Sequence, residues 1–136
     1  MKVYKTDKII TREKVRANPD VLYLFGDNDI RKGLGGQAKE MRGEPNAMGI
    51  STKKLPSNKP EAFKTDDEYV QNCLIILEDV HRIKMRILEN SYTNPYKALV
   101  IPPIGIGLAN LPKNAPKTYH FLTEQLSELK RFAEKY

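Results

Sequence analysis

Hydrophobic and polar residues alternate in two patterns along the chain, and together they predict an α/β fold. Residues 21–25 and 98–101 are continuous apolar runs, as expected of strands that are buried on both faces of a sheet. Residues 48–52 predict another strand, and residues 2–4 predict a short strand at an edge. Because helical segments separate these strands, the sheet is expected to be mixed or largely parallel.

Two long segments have apolar residues every three or four positions, which is the spacing of one helical face. The first face consists of Tyr69, Cys73, Ile76, Val80, Ile83 and Ile87, and the second of Ala115, Tyr119, Leu122, Leu126, Leu129 and Ala133. Thr65 and Glu68 have the spacing of a capping box ahead of the first helix. Shorter helices are predicted over residues 11–17, with Thr11 as the cap, and around residues 37–42. Residues 53–64 are rich in lysine and proline and predict an exposed loop.

The length of 136 residues, without an internal repeat or a long linker, predicts a single domain over residues 1–136. No apolar run reaches the ~20 residues of a membrane span, and the first residues lack the apolar core of a signal peptide. Cys73 has no second cysteine to pair with, which fits a reducing compartment. These features predict a cytoplasmic protein that has no membrane partner.

The cysteine and the two histidines are interpreted as structural residues. Cys73 lies on the apolar face of its helix, His81 lies beside that face, and His120 lies on the polar side of the last helix. Residues so far apart predict neither a metal site nor a nucleophile paired with a histidine. No metal and no cofactor are therefore expected.

The charge of the chain is unevenly distributed. The net charge is +6, and it arises in residues 1–64, which contain 14 lysines and arginines against 8 acidic residues. The remaining residues contain 9 of each kind. A basic half favours a partner that carries phosphate, although an ordinary solvated surface has the same composition.

Two glycine-rich loops, residues 26–36 and 102–111, follow the two apolar strands. In α/β sheets such loops lie outside the carboxyl ends of the strands, where ligands bind. Glycine allows backbone N–H groups to face an anion, and the start of a following helix adds a partial positive charge. Neither loop has the sequence of a Walker A motif or of a dinucleotide-binding turn. Two converging loops predict a site for two phosphates, as in a diphosphate, and ordinary tight turns are the alternative.

The sequences of these loops resemble those of macrodomains, the α/β/α modules that bind ADP-ribose. VLYLFGDNDIRKGLGGQAKEMR, residues 21–42, is similar to the family's strand, asparagine, glycine-rich turn and helix. ALVIPPIGIGLANLP, residues 98–112, is similar to the second phosphate loop. GISTKKLPSNKP resembles a segment of the terminal ADP-ribose glycohydrolases, a subgroup that includes antitoxins acting on ADP-ribosylated DNA bases. The resemblance covers the chain from about residue 20 to about residue 130, and similar small proteins occur in bacteriophages.

The resemblance implies a three-layer α/β/α fold with a mixed, largely parallel central sheet, and it assigns residues to each part of the ligand. Lys53 takes the place of a lysine that acts at the distal ribose, and Asn28 that of an asparagine near the same ribose. Asp7 is the candidate for contact with adenine. The other ligand-binding positions are Gly33, Gly35, Gly36, Thr52, Pro103, Ile104, Gly105, Ile106, Gly107 and Leu108.

The resemblance also implies a function: binding of ADP-ribose or a related nucleotide, with hydrolysis of an ADP-ribosyl linkage on DNA, RNA or protein. The compartment would be the cytoplasm, or the host cytoplasm if the source is a phage. One position departs from the subgroup, because Ala109 stands where an acidic residue assists catalysis, and alanine transfers no proton. Asp27, included among the catalytic candidates, or Asp29 would have to replace it.

Two other functions stay open at this stage. Ala109 favours a module that binds ADP-ribose without turnover, either as a reader or by sequestering a nucleotide signal. The basic first half is compatible with a nucleic-acid-binding domain, which predicts salt-sensitive binding to unmodified DNA or RNA.

Overall fold

Four strands and five α-helices alternate along the chain, which the computed structural model describes over residues 1–136. The strands are β1, Lys2–Lys5; β2, Val21–Asn28; β3, Ala47–Lys53; and β4, Ala98–Ile101. The helices are α1, Arg12–Ala17; α2, Ala38–Met41; α3, Tyr69–Thr93; α4, Leu111–Asn114; and α5, Pro116–Ala133. Two short 3-10 helices, Pro60–Ala62 and Asp66–Glu68, lie between β3 and α3. None of the helices combines the length and the apolar content needed to cross a bilayer.

The strands form one sheet in the order β1-β4-β2-β3, and every pairing within it is parallel. The two continuous apolar runs of the sequence are the two central strands, β4 and β2. This placement explains their composition, because a central strand of a parallel sheet is covered on both faces. The more polar β1 lies at one edge.

Side chains of β2 alternate between two separate cores. Val21, Tyr23 and Phe25 pack with residues of α1 and α2 on one face of the sheet. Leu22 and Leu24 pack with residues of α3 and α5 on the other face. The chain is therefore a three-layer α/β/α protein, and the predicted fold class is confirmed.

The predicted helical faces are confirmed, but two local predictions are wrong. Thr65 makes no capping hydrogen bond through its side chain, and a 3-10 helix precedes α3. The loop over residues 53–64 is not exposed throughout, since Ala62 and Lys64 have no solvent exposure. Lys64 is held in the interior by Asp29, whose carboxylate oxygen lies 2.9 Å from the ammonium.

The burial of Cys73 and the exposure of His120 agree with the prediction, whereas His81, predicted at the boundary of the apolar face, is exposed. Cys73 is buried on the inner side of α3, and burial raises the pKa of its thiol. His81 is exposed, and His120 is exposed beside Glu124. No group of three or more histidine, cysteine or acidic side chains is arranged to hold a metal ion.

Candidate functional site

A cleft opens where two neighbouring strands send their loops to opposite faces of the sheet. β2 leads into α2 on one face, whereas β4 leads through α4 into α5 on the other. A crevice forms at such a point because the two connections diverge. It holds a cavity of about 260 Å³, lined by both glycine-rich loops and by the end of β3.

The cleft brings together most of the residues that the sequence singled out. The predicted residues that line it are Asp27, Asn28, Gly33, Gly35, Gly36, Thr52, Lys53, Pro103, Gly105, Gly107 and Leu108. The side chain of Ile104 is instead buried in the core beneath the second loop. The side chain of Ile106 faces a second cavity on the far side of that loop.

An irregularity in the pairing of β2 with β3 explains how two consecutive residues of β3 reach the cleft. Asp27 is paired with Ser51, but the next residue, Asn28, is paired with Lys53. Thr52 is therefore an extra residue in its strand, as in a β-bulge. Both Thr52 and Lys53 line the cavity, although side chains in a regular strand point alternately to opposite faces.

The first loop is held open by side chains that bind its carbonyl groups. The amide nitrogen of Asn28 donates to the carbonyl of Lys32 at 2.6 Å. Arg42 Nε donates to the carbonyl of Gly33 at 2.8 Å. Gly33 has a φ of 94°, and a Cβ there would lie 2.7 Å from Pro56, so the backbone of this turn requires glycine. The backbone N–H groups of residues 33–38 donate to no oxygen of the chain.

The second loop presents a similar row of N–H groups. Its turn is closed by a hydrogen bond of 2.8 Å from the N–H of Leu111 to the carbonyl of Gly105. The backbone N–H groups of residues 105–109 donate to no oxygen of the chain. Gly107 faces open space, and the exposed Leu108 projects toward Gly35 and Gly36 across the cleft. Successive unbonded N–H groups in a concave loop can form an anion-binding site.

The helices that follow the loops contribute less than the sequence suggested. α2 and α4 are each four residues long. A single helical turn carries only a small dipole, so the anion-binding character of the cleft comes from the loop N–H groups and from charged side chains.

Lys53 is buried at the end of β3. Its ammonium donates to the carbonyl of Ser57 at 2.6 Å and lies 4.9 Å from the centre of the Phe63 ring. Burial lowers the pKa of Lys53, which raises the fraction of neutral amine at a given pH. The neighbouring Lys54 points elsewhere and forms an ion pair with Glu68.

The two candidate carboxylates of the first loop are both engaged in ion pairs. Asp27 lines the cleft, and its Oδ1 lies 2.5 Å from Arg42 Nη2. Asp29 does not line the cleft, and its Oδ1 accepts a hydrogen bond from Ser51 and faces Lys64. Ala109 is buried in the wall of the cleft. No free carboxylate is therefore present among the cavity-lining residues.

A family model described as a family of unknown function (DUF7831) matches residues 5–125. The chain belongs to DUF7831. No curated protein and no solved structure matches the chain. The segment that defines DUF7831 here contains both glycine-rich loops and Lys53, so the whole cleft lies within the family's shared region.

The DUF7831 cleft also contains residues that the sequence did not single out. Arg42 and Lys32 line it, and together with Lys53 they give it three cations against the one carboxylate of Asp27. Gln37 lines it too, and its side-chain amide donates to the carbonyl of Ile10 at 2.6 Å, which connects the first loop to the segment before α1. In the sequence, Arg42 is only the basic residue that ends the predicted helical segment 37–42, and this position alone does not indicate that it lines a cleft.

Proposed function

We propose that the cleft binds ADP-ribose or a closely related nucleotide, and that Lys53 acts on an ADP-ribosyl linkage. The observation that carries the proposal is the pair of loops on either side of one cavity, each with a row of unbonded N–H groups. Two such rows suit the two phosphates of a diphosphate. The excess of cations among the lining residues supports the same assignment.

The space around the second loop suits the rest of such a ligand. A cavity of about 260 Å³ is small for a whole nucleotide sugar, since typical small-molecule sites have ~300–1,000 Å³. A second, larger cavity of about 690 Å³ lies across Pro103, which lines both. Ile101, Ile104 and Ile106 give it an apolar wall, and Asp7 lies at its edge. The diphosphate would cross the second loop, with the adenosine in the larger cavity and the distal ribose beside Lys53.

The burial of Lys53 supports its proposed role as a nucleophilic amine. Burial lowers its pKa, and the carbonyl of Ser57 holds its nitrogen in a fixed position. In the proposed reaction the neutral amine forms a bond to C1″ of the distal ribose. The bond from C1″ to the modified group breaks, and that group leaves with the proton that the attacking amine gives up. Water then hydrolyses the lysine adduct, which releases ADP-ribose and regenerates the amine.

Binding without turnover is the second candidate, and a specific observation favours it. The carboxylate of Asp27 is neutralised by Arg42, and Ala109 supplies no proton-transferring group. A cleft built in this way holds a diphosphate but gives the leaving group little assistance.

Calorimetric titration with ADP-ribose tests the proposal, with AMP and NAD as comparison ligands. We expect ADP-ribose to bind more tightly than AMP, which has a single phosphate and no distal ribose. Absence of ADP-ribose binding would overturn the proposal. Incubation with ADP-ribosylated DNA and protein then separates the two candidates, because only an enzyme releases ADP-ribose.

A further inference from the structure

We propose that Arg42 makes the cleft receptive to a diphosphate by neutralising Asp27. This inference rests on the proposed function only in taking a diphosphate as part of the ligand. Asp27 is 7% exposed, yet it is one of the residues that line the cavity. A buried, unneutralised carboxylate in that position would repel a phosphate group.

The contacts of Arg42 make it the principal counter-ion. Its Nη2 lies 2.5 Å from Oδ1 of Asp27, and its Nη1 lies 3.3 Å from Oδ2. This two-pronged arrangement is the strong form of an ion pair. Arg31 is 3.8 Å from Oδ2 of Asp27, but its guanidinium is closer to Asp79, at 2.7 Å. Removal of Arg42 would therefore leave most of the charge of Asp27 uncompensated.

Arg42 also orients part of the first loop. Its guanidinium binds the carbonyl groups of Gly33 and, at 3.3 Å, of Lys32. In a trans peptide the N–H points opposite to the carbonyl. The N–H groups of Gly33 and Leu34 are therefore turned away from Arg42 and stay available. The charge effect and the loop effect are separate, so an experiment can distinguish them.

A double-mutant cycle with inorganic pyrophosphate as the probe makes this distinction. Four proteins are compared by calorimetry: the intact chain, Arg42→Gln, Asp27→Asn and the double variant. We expect Arg42→Gln to weaken pyrophosphate binding by at least about 30-fold, and the double variant to recover most of that loss. Asparagine keeps the oxygen that accepts a hydrogen bond from the N–H of Asn28, at 2.8 Å in the intact chain. If the double variant binds as weakly as Arg42→Gln, the charge assignment is wrong.

Two further variants control for the loss of a positive charge elsewhere and for the shape of the Arg42 side chain. Arg16→Gln removes the same charge from an exposed arginine paired with Glu44, away from the cleft, and should leave pyrophosphate affinity unchanged. Arg42→Lys keeps the charge beside Asp27 but lacks the planar fork, so we expect its affinity to stay within about 5-fold of the intact value. A loss of about 30-fold or more in a folded Arg42→Lys protein would overturn the charge assignment, and this result can be obtained even if Arg42→Gln fails to fold.

The same titrations separate this inference from the proposed function. If the intact chain binds pyrophosphate but not ADP-ribose, the proposed function fails. The role of Arg42 can then still be tested, because the variants are compared by their affinity for pyrophosphate. If the intact chain does not bind pyrophosphate, the role of Arg42 is overturned.

Discussion

Asn28 of β2 is paired with Lys53 of β3, one residue out of step with the preceding pairs of the two strands. The shift places an amide and a lysine side by side at the carboxyl edge of the sheet, and both line the cleft. Lys53 is further fixed by a bridge to Phe63 on its other side. Because strands and not flexible loops hold both residues, their relative position is well defined.

Lys53 should form a covalent adduct with ADP-ribose. Its amine is expected to condense with the ring-opened distal ribose, and borohydride should reduce the resulting Schiff base to a stable product detectable by mass spectrometry. Burial lowers the pKa of Lys53, so the neutral amine appears at lower pH than for a solvated lysine. The trapping rate should therefore rise with pH and level off below the usual pKa of lysine.

Lys54 provides the matched control for that experiment. Its side chain is paired with Glu68, outside the cleft. Lys53→Ala should lose the adduct but keep much of its affinity for ADP-ribose, while Lys54→Ala should keep both. An adduct that survives in Lys53→Ala would show that another group reacts.

Asn28→Ala should weaken the binding of every ligand that carries a diphosphate. The side-chain amide holds the carbonyl of Lys32 and accepts from the Lys32 N–H at 3.4 Å, so its removal frees the first loop. The free energy of unfolding should fall by about 1–3 kcal/mol, as for other buried hydrogen-bonding groups. Calorimetry with ADP-ribose and pyrophosphate checks the first expectation, and urea denaturation the second. A loss confined to ADP-ribose would instead assign Asn28 to the distal ribose alone.

The features that could be predicted from the sequence are those that depend on local patterns. The central strands and the two helical faces follow from the spacing of apolar residues, and both glycine-rich loops follow from residue chemistry. The bulge at Thr52 could not be predicted in this way, because an extra residue in a strand leaves no mark on a short alternating pattern. Its effect is to bring Thr52 and Lys53 to the same cleft.

Ion pairs between residues far apart in the sequence could not be predicted either. The sequence predicts Lys64 to lie in a solvated, lysine-rich loop, but its side chain is fully buried. Asp29, 35 positions earlier in the chain, supplies the counter-ion that makes this burial possible. The sequence indicates only that Arg42 is the basic residue at the end of a short helix, whereas the structure pairs it with Asp27. Such pairings depend on which strand ends the fold brings together, and a single sequence does not encode that arrangement locally.

Gly107→Val should abolish ADP-ribose binding without changing the fold. A Cβ at Gly107 meets no atom within 4 Å, and its backbone does not require glycine, so valine fits the free protein. Its methyl groups would occupy the space into which the loop N–H groups open. Far-UV circular dichroism and the thermal midpoint should stay close to those of the intact chain. Unchanged affinity in the folded variant would remove the phosphate-loop assignment.

Gly105→Ala is the contrasting variant in the same loop. Gly105 has a φ of 82°, and a Cβ there would lie 2.8 Å from Leu111. We expect its stability to fall by about 1–3 kcal/mol from backbone strain alone. A stable Gly105→Ala protein would contradict this account of the loop.

Asp66→Ala should destabilise the start of α5. Asp66 accepts hydrogen bonds from the N–H groups of Lys117 and Thr118, at 2.9 Å and 3.0 Å, and from the Thr118 hydroxyl. It therefore caps a helix whose own first residues provide no capping side chain. The expected loss is about 1 kcal/mol at neutral pH, measured by urea denaturation.

The pH dependence of that loss has a definite sign. Burial alone would raise the pKa of Asp66, but the hydrogen bonds from Lys117 and Thr118 outweigh it, and the pKa in the folded state is lowered. The contribution is thus fully present above the pKa of the unfolded chain and disappears as the pH falls through the folded value. The gap in stability between the intact chain and Asp66→Ala should narrow in acid, and a constant gap would contradict the capping role.

Ala109→Asp should accelerate release of ADP-ribose from a modified substrate. Ala109 lines the cleft but lies among residues of the hydrophobic core, so we expect the carboxylate of a replacing aspartate to turn out of the core and into the cleft, where it can transfer a proton. General acid–base assistance commonly contributes ~10²–10⁴-fold, and we expect a gain of at least about 10-fold in single-turnover rate. The thermal midpoint should fall, because the new carboxylate has no counter-ion of its own while Arg42 is engaged with Asp27. Ala109→Asn is the matched control, since it has the same shape but transfers no proton. An equal gain in Ala109→Asn, or no gain in Ala109→Asp when both variants bind ADP-ribose, would show that the missing acid does not limit turnover.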